Sequence, residues 1–207
     1  MLVTGTTAVV SIIGNPIVQV KSPGAMNQYF ADRARHTVLV PIEITPDAVP
    51  GFIAMERSWT TCKGIIVTVP YKQIVTPLLK RVTPRAARFS TVNVLRRDPD
   101  GTLTGEMFDG VGFIGAAARH GINPFGKRAA VVGAGGVACA IAYFLCEAGV
   151  SHLSIQDLDK ARQHTLIARG LVAKVVTAPT MTPFQTGQEM TETQLLSLAQ
   201  RMRMSAP

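Results

Sequence analysis

Strand-like and helix-like stretches alternate through both halves of this sequence, and that alternation predicts an α/β protein made of two successive α/β units. Two observations carry the prediction. Runs rich in β-branched residues at 7–14 (TAVVSIIG), 37–44 (TVLVPIEI) and 64–69 (GIIVTV) are separated by helix-length mixed segments. A glycine-rich bend, Gly133-Ala134-Gly135-Gly136, follows a short apolar strand and opens an apolar helix.

Residues 7–14 stop at Gly14-Asn15-Pro16, a strand closed by a turn. Ser22-Pro23 reads as an N-cap with proline at the first helical position, opening a helix to about Arg35. Residues 37–44 give the second strand, and Pro41, having no N–H to donate, marks it as an edge or a bulge. Residues 46–59 are helix-like, 64–69 form the third strand, and 72–81 a further helix. Residues 91–97 and 102–107 flank Asp98-Pro99-Asp100-Gly101, a turn sequence that predicts a hairpin. A helix over 109–121, rich in small residues, reads as a buried linker, so the domains divide as 1–108 and 109–207. The second half then gives a strand at 129–132 and a helix to Glu147, ended by Gly149. A strand at 152–156, a helix at 158–169 and a strand at 171–176 follow. The remainder reads as loop, with one short amphipathic helix over 191–202 and Thr191 as its candidate N-cap.

Composition excludes several classes. Of 207 residues, 47% are hydrophobic and 16% charged, so the chain buries a core and is not disordered. Its longest uncharged apolar run, 129–146, is interrupted by Gly133, Gly135 and Gly136 and falls short of the roughly 20 apolar residues of a membrane span. The N-terminus lacks the pattern of a signal peptide, and Cys62, Cys139 and Cys146 are too few and scattered for a disulfide framework or a zinc site. A cytoplasmic setting is expected. His36, His120, His152 and His164 do not have metal-ligand spacing. The net charge of +8 is concentrated between Lys72 and Arg97, with seven basic residues and no acidic one. Phe89 is the sole aromatic there, so the run points to a face attracting a small anion rather than to nucleic acid.

The glycine bend carries the first chemistry. Gly133-x-Gly135-x-x-Ala138 fits the dinucleotide fingerprint: a tight turn, a close backbone approach to a pyrophosphate, and a small residue where helix meets strand. Asp157 stands 24 positions after Gly133, at the end of the next strand. A carboxylate there accepts hydrogen bonds from ribose hydroxyls and repels a 2′-phosphate, which favours NAD over NADP. Asp159 strengthens the repulsion or caps the following helix. Gly133, Ala134, Gly135, Gly136, Val137 and Asp157 are therefore the candidate cofactor-binding residues.

Gly14-Asn15-Pro16, Ser22-Pro23-Gly24-Ala25-Met26-Asn27, Val67-Thr68-Val69-Pro70-Tyr71-Lys72, Val92-Asn93, Asp109-Gly110 and Gly133-Ala134-Gly135-Gly136 occur in one order. Together they resemble the shikimate and quinate dehydrogenases, including the shikimate dehydrogenase-like branch, over about residues 8–170. The resemblance implies an N-terminal α/β substrate-binding domain facing a Rossmann-like NAD(P)-binding domain across a cleft. That second domain is partial here, as if the chain were truncated or divergent at its C-terminus. The implied reaction moves hydride between a ring carbinol of a cyclic hydroxy acid and nicotinamide, in the shikimate pathway of aromatic amino acid biosynthesis. Lys72 and Asp109 would be the catalytic pair, with Lys72 moving the hydroxyl proton and Asp109 orienting it. Ser22, Thr68 and Asn93 would contact the substrate. Left to themselves, Lys72 is also readable as an exposed helix-start lysine and Asp109 as a helix N-cap.

The chain departs from the pattern where Lys21 and Ser22 replace a serine pair, where Ile66 replaces an asparagine, and where Met107-Phe108 replace Asn-Thr. These departures imply a more apolar pocket, with weak shikimate activity or another hydroxy acid as substrate. Gln156-Asp157-Leu158, in place of the family's Asn-Arg-Thr, again points to NAD. The expected protein is an oxidoreductase, a monomer or homodimer. The alternative is a non-catalytic nucleotide-binding remnant or regulatory protein of the same fold.

Overall fold

The computed structural model describes residues 2–157, 159, 161 and 175–177. The expected helices at 158–169 and 191–202 lie outside the described residues. The chain divides into two compact units, Met1–Asp109 and Gly110–Pro207.

The first unit is built on one six-stranded mixed sheet: β1 (Ala8–Gly14), β2 (Thr37–Glu43), β3 (Cys62–Val67), β4 (Arg81–Val82), β5 (Val94–Arg97) and β6 (Leu103–Glu106), in the order β2-β1-β3-β5-β6-β4. β1 runs parallel to both β2 and β3, while β5 is antiparallel to β3 and β6. β1 lies between two parallel partners, so it reads as a continuous apolar run, with Ile12 and Ile13 buried. β2 is an edge, and Pro41 sits opposite Ile12 in its only pairing, as the missing N–H requires. Helices α1 (Ser22–Asp32), α2 (Val49–Ser58), α3 (Lys72–Val75) and α4 (Pro84–Phe89) accompany the sheet. Val49, Ile53, Ile65, Val67, Leu95 and Leu103 are at most 1% exposed and form the core, each contributing about 1.5–3 kcal/mol on burial.

One member of that core is charged by type. Val49, Ile53 and Glu56 share the inward face of α2, and Glu56 is fully buried. Its Oε1 accepts from Ser11 Oγ at 3.2 Å, while Oε2 has no partner among the described residues. Burial pushes the carboxyl above its ordinary range, against the opposing influence of Cys62 and Ser11. Burial likewise pushes the neighbouring Cys62 thiol up to about 12, with Glu56 adding to the effect.

Several local expectations change. The helix expected over 72–81 ends at Val75, because Pro77 has no N–H to continue it. A 3-10 turn over Thr76–Leu78 follows, Leu79 is extended, and Arg81 enters β4. α4 was not anticipated, although Thr83 caps it by accepting from Ala86 N–H at 3.2 Å and Pro84 stands at its first position. Residues 46–59 begin as a 3-10 turn, Pro46–Ala48, before α2. Lys21, not Ser22, is the N-cap of α1, and Ser22 is its first residue with no capping bond. β3 begins and ends two residues before the expected span, since Thr68 already belongs to a turn. The hairpin forms as expected, with Gly101 N–H donating to Asp98 O at 2.9 Å.

In the second unit β7 (Arg128–Val132), β8 (His152–Gln156) and β9 (Val175–Thr177) are parallel in the order β7-β8-β9. β9 covers only the end of the strand expected at 171–176. Between β7 and β8 runs α6 (Gly136–Glu147), whose Cys139, Ala140, Ala142 and Leu145 are buried, giving a βαβ unit of Rossmann type. α5 (Asp109–Arg119) starts at the junction of the units. It is not the buried linker expected, because Gly110 is its one buried residue and Val111 and Phe113 are exposed.

Candidate active site

β1 and β3 end side by side, and the chain leaving β3 is tied to the end of β1. Thr68 N–H donates to Ile13 O at 3.0 Å, and Asn15 N–H donates to Val69 O at 3.1 Å. Gly14 makes this approach possible: a Cβ there would lie 2.6 Å from Thr68 Cγ2. The turn closes with Tyr71 N–H donating to Thr68 O at 2.9 Å, and the buried Tyr71 hydroxyl donates to Ile44 O. Tyr71 thus anchors the residue before Lys72, a role the sequence alone gave no reason to assign.

Lys72 opens α3 from this anchored turn. Its Nζ donates to Asp109 Oδ2 at 2.6 Å, with the two side chains 15% and 21% exposed. That exposure removes the reading of Lys72 as a solvated helix-start lysine. Asp109 is the first residue of α5, where a helix N-terminus favours an anion. Asn93 joins the pair, its Nδ2 donating to Asp109 Oδ1 at 2.7 Å. Three segments distant in sequence therefore converge on one carboxylate. Ser22 and Thr68 share no hydrogen bond with this group among the described residues; Ser22 is half-buried at the start of α1 and Thr68 half-buried in the turn.

A second cluster adjoins it along the chain. Arg85 Nε donates to Glu106 Oε1 at 3.0 Å, and the Arg85 guanidinium lies over the Phe108 ring, 5.3 Å from its centroid. Burial works to raise the Glu106 carboxyl, but Arg85, the Met107 N–H and Thr83 outweigh it and hold it below the usual glutamate range. Met107 is fully buried in the core and lines no open pocket, contrary to the expectation that it makes the pocket apolar. Phe108 is exposed. It borders a cavity of about 360 Å³ on the sheet face, shared with Ile66 and Val94. Much of the basic run is matched by acids. Of its seven cations, Lys72, Arg81, Arg85 and Arg96 each pair with a carboxylate.

In the second unit the glycine bend has the geometry its spacing implies. Gly133 has φ +100°, a conformation that favours glycine, and its N–H donates to Gln156 O at 2.6 Å. Gly135 is the N-cap of α6, and Gly136 and Val137 form its first turn. A Cβ at Gly133 or Gly135 would meet nothing within 4 Å, so the bend borders open space on that side. Asp157 is drawn into the bend: its Oδ2 accepts from Ala134 N–H at 2.5 Å and its Oδ1 from Asp159 N–H at 2.8 Å. Asp159 Oδ1 accepts in turn from Ala161 N–H at 2.9 Å, the local bond expected of a cap. Bare backbone at the bend, a helix N-terminus and an acid at the end of the next strand fit a dinucleotide's pyrophosphate and ribose.

Residues 12–95 match the family profile of the shikimate dehydrogenase substrate binding domain. A shikimate dehydrogenase (NADP(+)) of Desulforamulus reducens is 31% identical over 211 residues, covering 98% of this chain and 70% of that protein. The chain belongs to the shikimate dehydrogenase family. The enzyme of that name from Rubrobacter xylanophilus is 34% identical over 179 residues, 86% of this chain and 63% of its own length. The crystal structure of shikimate 5-dehydrogenase from Listeria monocytogenes, in complex with shikimate and NAD, superposes with a TM-score of 0.76 at 27% identity. That match covers 85% of this chain and 62% of that one. The chain spans 54% to 63% of the length of three such curated relatives. Within the family frame, the matched segment contains Lys72 and Asn93, while Asp109 lies just beyond it. No helix among the described residues is long and apolar enough to cross a membrane.

Proposed function

We propose that this chain is an oxidoreductase of the shikimate and quinate dehydrogenase type. On this reading the first unit binds a cyclic hydroxy acid and the second a nicotinamide dinucleotide. The observation that carries the reading is the Lys72 Nζ to Asp109 Oδ2 contact of 2.6 Å, made by two residues 37 positions apart and mostly screened from water. The relatives' printed names and the shikimate in the Listeria structure support the substrate class.

When bound, the nicotinamide supplies a hydride acceptor or donor for the ring carbinol. The protein's task is the proton. As hydride leaves the carbinol carbon, its hydroxyl must lose a proton, and in the reverse direction the forming alkoxide must gain one. Lys72 is the group that takes or gives it, and Asp109 holds the amine in place and stabilises its charged form. Ser22, Thr68 and Asn93 are proposed to meet the substrate's carboxylate and hydroxyls. Gly133, Ala134, Gly135, Gly136 and Val137 would hold the pyrophosphate by main-chain N–H groups, and Asp157 the ribose. Phe108 and Ile66, both apolar, support a substrate less hydroxylated than shikimate. The match between the basic run and its own acids supports a small anionic substrate rather than a nucleic acid. Three free cysteines support a reducing, cytoplasmic setting.

NAD is the proposed preferred cofactor, since an acid at position 157 repels a 2′-phosphate. The relatives are named for NADP(+), whereas the Listeria structure contains NAD. The test mixes the protein with NAD or NADP and with shikimate or quinate, and follows reduced nicotinamide. Turnover faster with NAD and abolished by Lys72→Ala is the expected result. Dinucleotide binding with no turnover on any hydroxy acid would return the non-catalytic reading.

A further inference from the structure

We propose that Asn93 is a positioning residue whose side-chain amide fixes the direction in which the Asp109 carboxylate faces Lys72. This rests on the oxidoreductase reading for its consequence, though not for its geometry. Asn93 is held at both ends of its own peptide units. Its N–H donates to Glu106 O at 3.0 Å, and its carbonyl accepts from Val67 N–H at 2.8 Å. The side chain then makes two further bonds. Oδ1 accepts from Phe108 N–H at 2.8 Å, and Nδ2 donates to Asp109 Oδ1 at 2.7 Å.

The order of those two atoms is forced. A main-chain N–H only donates, so it must meet Oδ1; a carboxylate only accepts, so it must meet Nδ2. A flipped amide would lose both bonds at once. Asn93 therefore grips two consecutive residues, Phe108 by its main chain and Asp109 by its side chain, and so restricts rotation of the carboxylate. The oxygen left over, Oδ2, is the one that takes Lys72 Nζ. With a donor on each oxygen, the carboxylate does not turn to follow the amine. The amine is held to it instead. One N–H and one lone pair of the Asn93 amide remain for a substrate hydroxyl, so the positioning role is added to substrate contact and does not exclude it.

Asn93→Asp separates this role from space filling. It keeps the shape and the acceptor for Phe108 N–H, but sets a second carboxylate where the donor stood. The first readout is the nitrogen NMR signal of the Lys72 side-chain ammonium, assigned by its loss in Lys72→Arg, which needs no turnover. In the unaltered protein this signal is expected apart from the bulk lysines, and in Asn93→Asp it is expected to merge with them. The second readout is steady-state turnover of shikimate or quinate. There kcat is expected to fall about tenfold to a hundredfold, the scale of a small misplacement of a reacting group, with KM within about twofold. An unmoved Lys72 signal in Asn93→Asp overturns the proposal, and so does a raised KM at unchanged kcat. If Asn93→Asp does not fold, Asn93→Ala is read by the same signal with the same expectation. If the unaltered protein turns over no hydroxy acid, the oxidoreductase reading falls while the ammonium signal still decides the role of Asn93.

Discussion

Asp109 and Asp157 are each bonded through both carboxylate oxygens, yet the two units hold them in opposite ways. Asp109 is held by side chains: the ammonium of Lys72 and the amide of Asn93, 37 and 16 residues away. Asp157 is held by main chain: the N–H groups of Ala134, 23 residues back, and of Asp159 just ahead. A charge facing another titratable group can take part in moving a proton. A charge facing backbone N–H groups fixes the shape of a bend instead. The first unit thus has the arrangement of a reacting site and the second that of a binding cradle.

Placing the same substitution at both acids breaks the comparison most sharply. Asp109→Asn removes the counter-charge of Lys72, and turnover is expected to fall by about 10²–10⁴, the range of general acid–base catalysis, with dinucleotide affinity unchanged. Rate assays alongside calorimetric titration with NAD check this, and an equal loss of affinity would show that the two acids do not divide the work. Asp157→Asn leaves one acceptor oxygen where two are used. Dinucleotide affinity is expected to drop about tenfold, roughly 1.4 kcal/mol, and NAD to lose its advantage over NADP. The Lys72 ammonium signal should not move, and if it does the two sites are coupled.

The smallest expected effect sharpens the comparison with a third acid that has neither arrangement. Glu56 is buried with one oxygen unpartnered. Burial raises its carboxyl in the folded protein, so its contribution to stability is complete below the ordinary glutamate value of 4.5. It is lost as pH rises through the raised value, because the unfolded chain releases that proton first. Melting temperatures should therefore fall with pH in the unaltered protein relative to Glu56→Gln over that window. Parallel curves for the two proteins would show that Glu56 does not carry the proton.

These contrasts also mark what the sequence made legible. The bend at Gly133 and the acid at Asp157 are related by local spacing within one βαβ unit, so a pattern of strand, glycines, helix and strand reveals them. The convergence of Lys72, Asn93 and Asp109 crosses a sheet, and no periodicity encodes it; only the family resemblance brought the three together. β1, α1, the hairpin and β8 were legible because each is long enough to show its pattern. β4 and α4 were not, being two and six residues long, although Thr83-Pro84 is a readable helix start. Pro77 should have shortened the helix after Lys72, and Met107, which follows β6, was read as pocket although it belongs to the core. The direction of the Asn93 amide depends on which donor and acceptor it meets, and that exists only in three dimensions.

Gly14 has a consequence for how this protein can change. The amine of Lys72 owes its location less to the helix it begins than to the end of a strand nearly sixty residues earlier, against whose bare Cα the Thr68 methyl rests. Variation within the short helix can be absorbed, since nothing there sets the amine's origin. One methyl group added to the strand end would shift the whole bend and carry the reactive nitrogen with it. Tolerance in this region is therefore lopsided, and the position least free to vary is one that has no side chain at all.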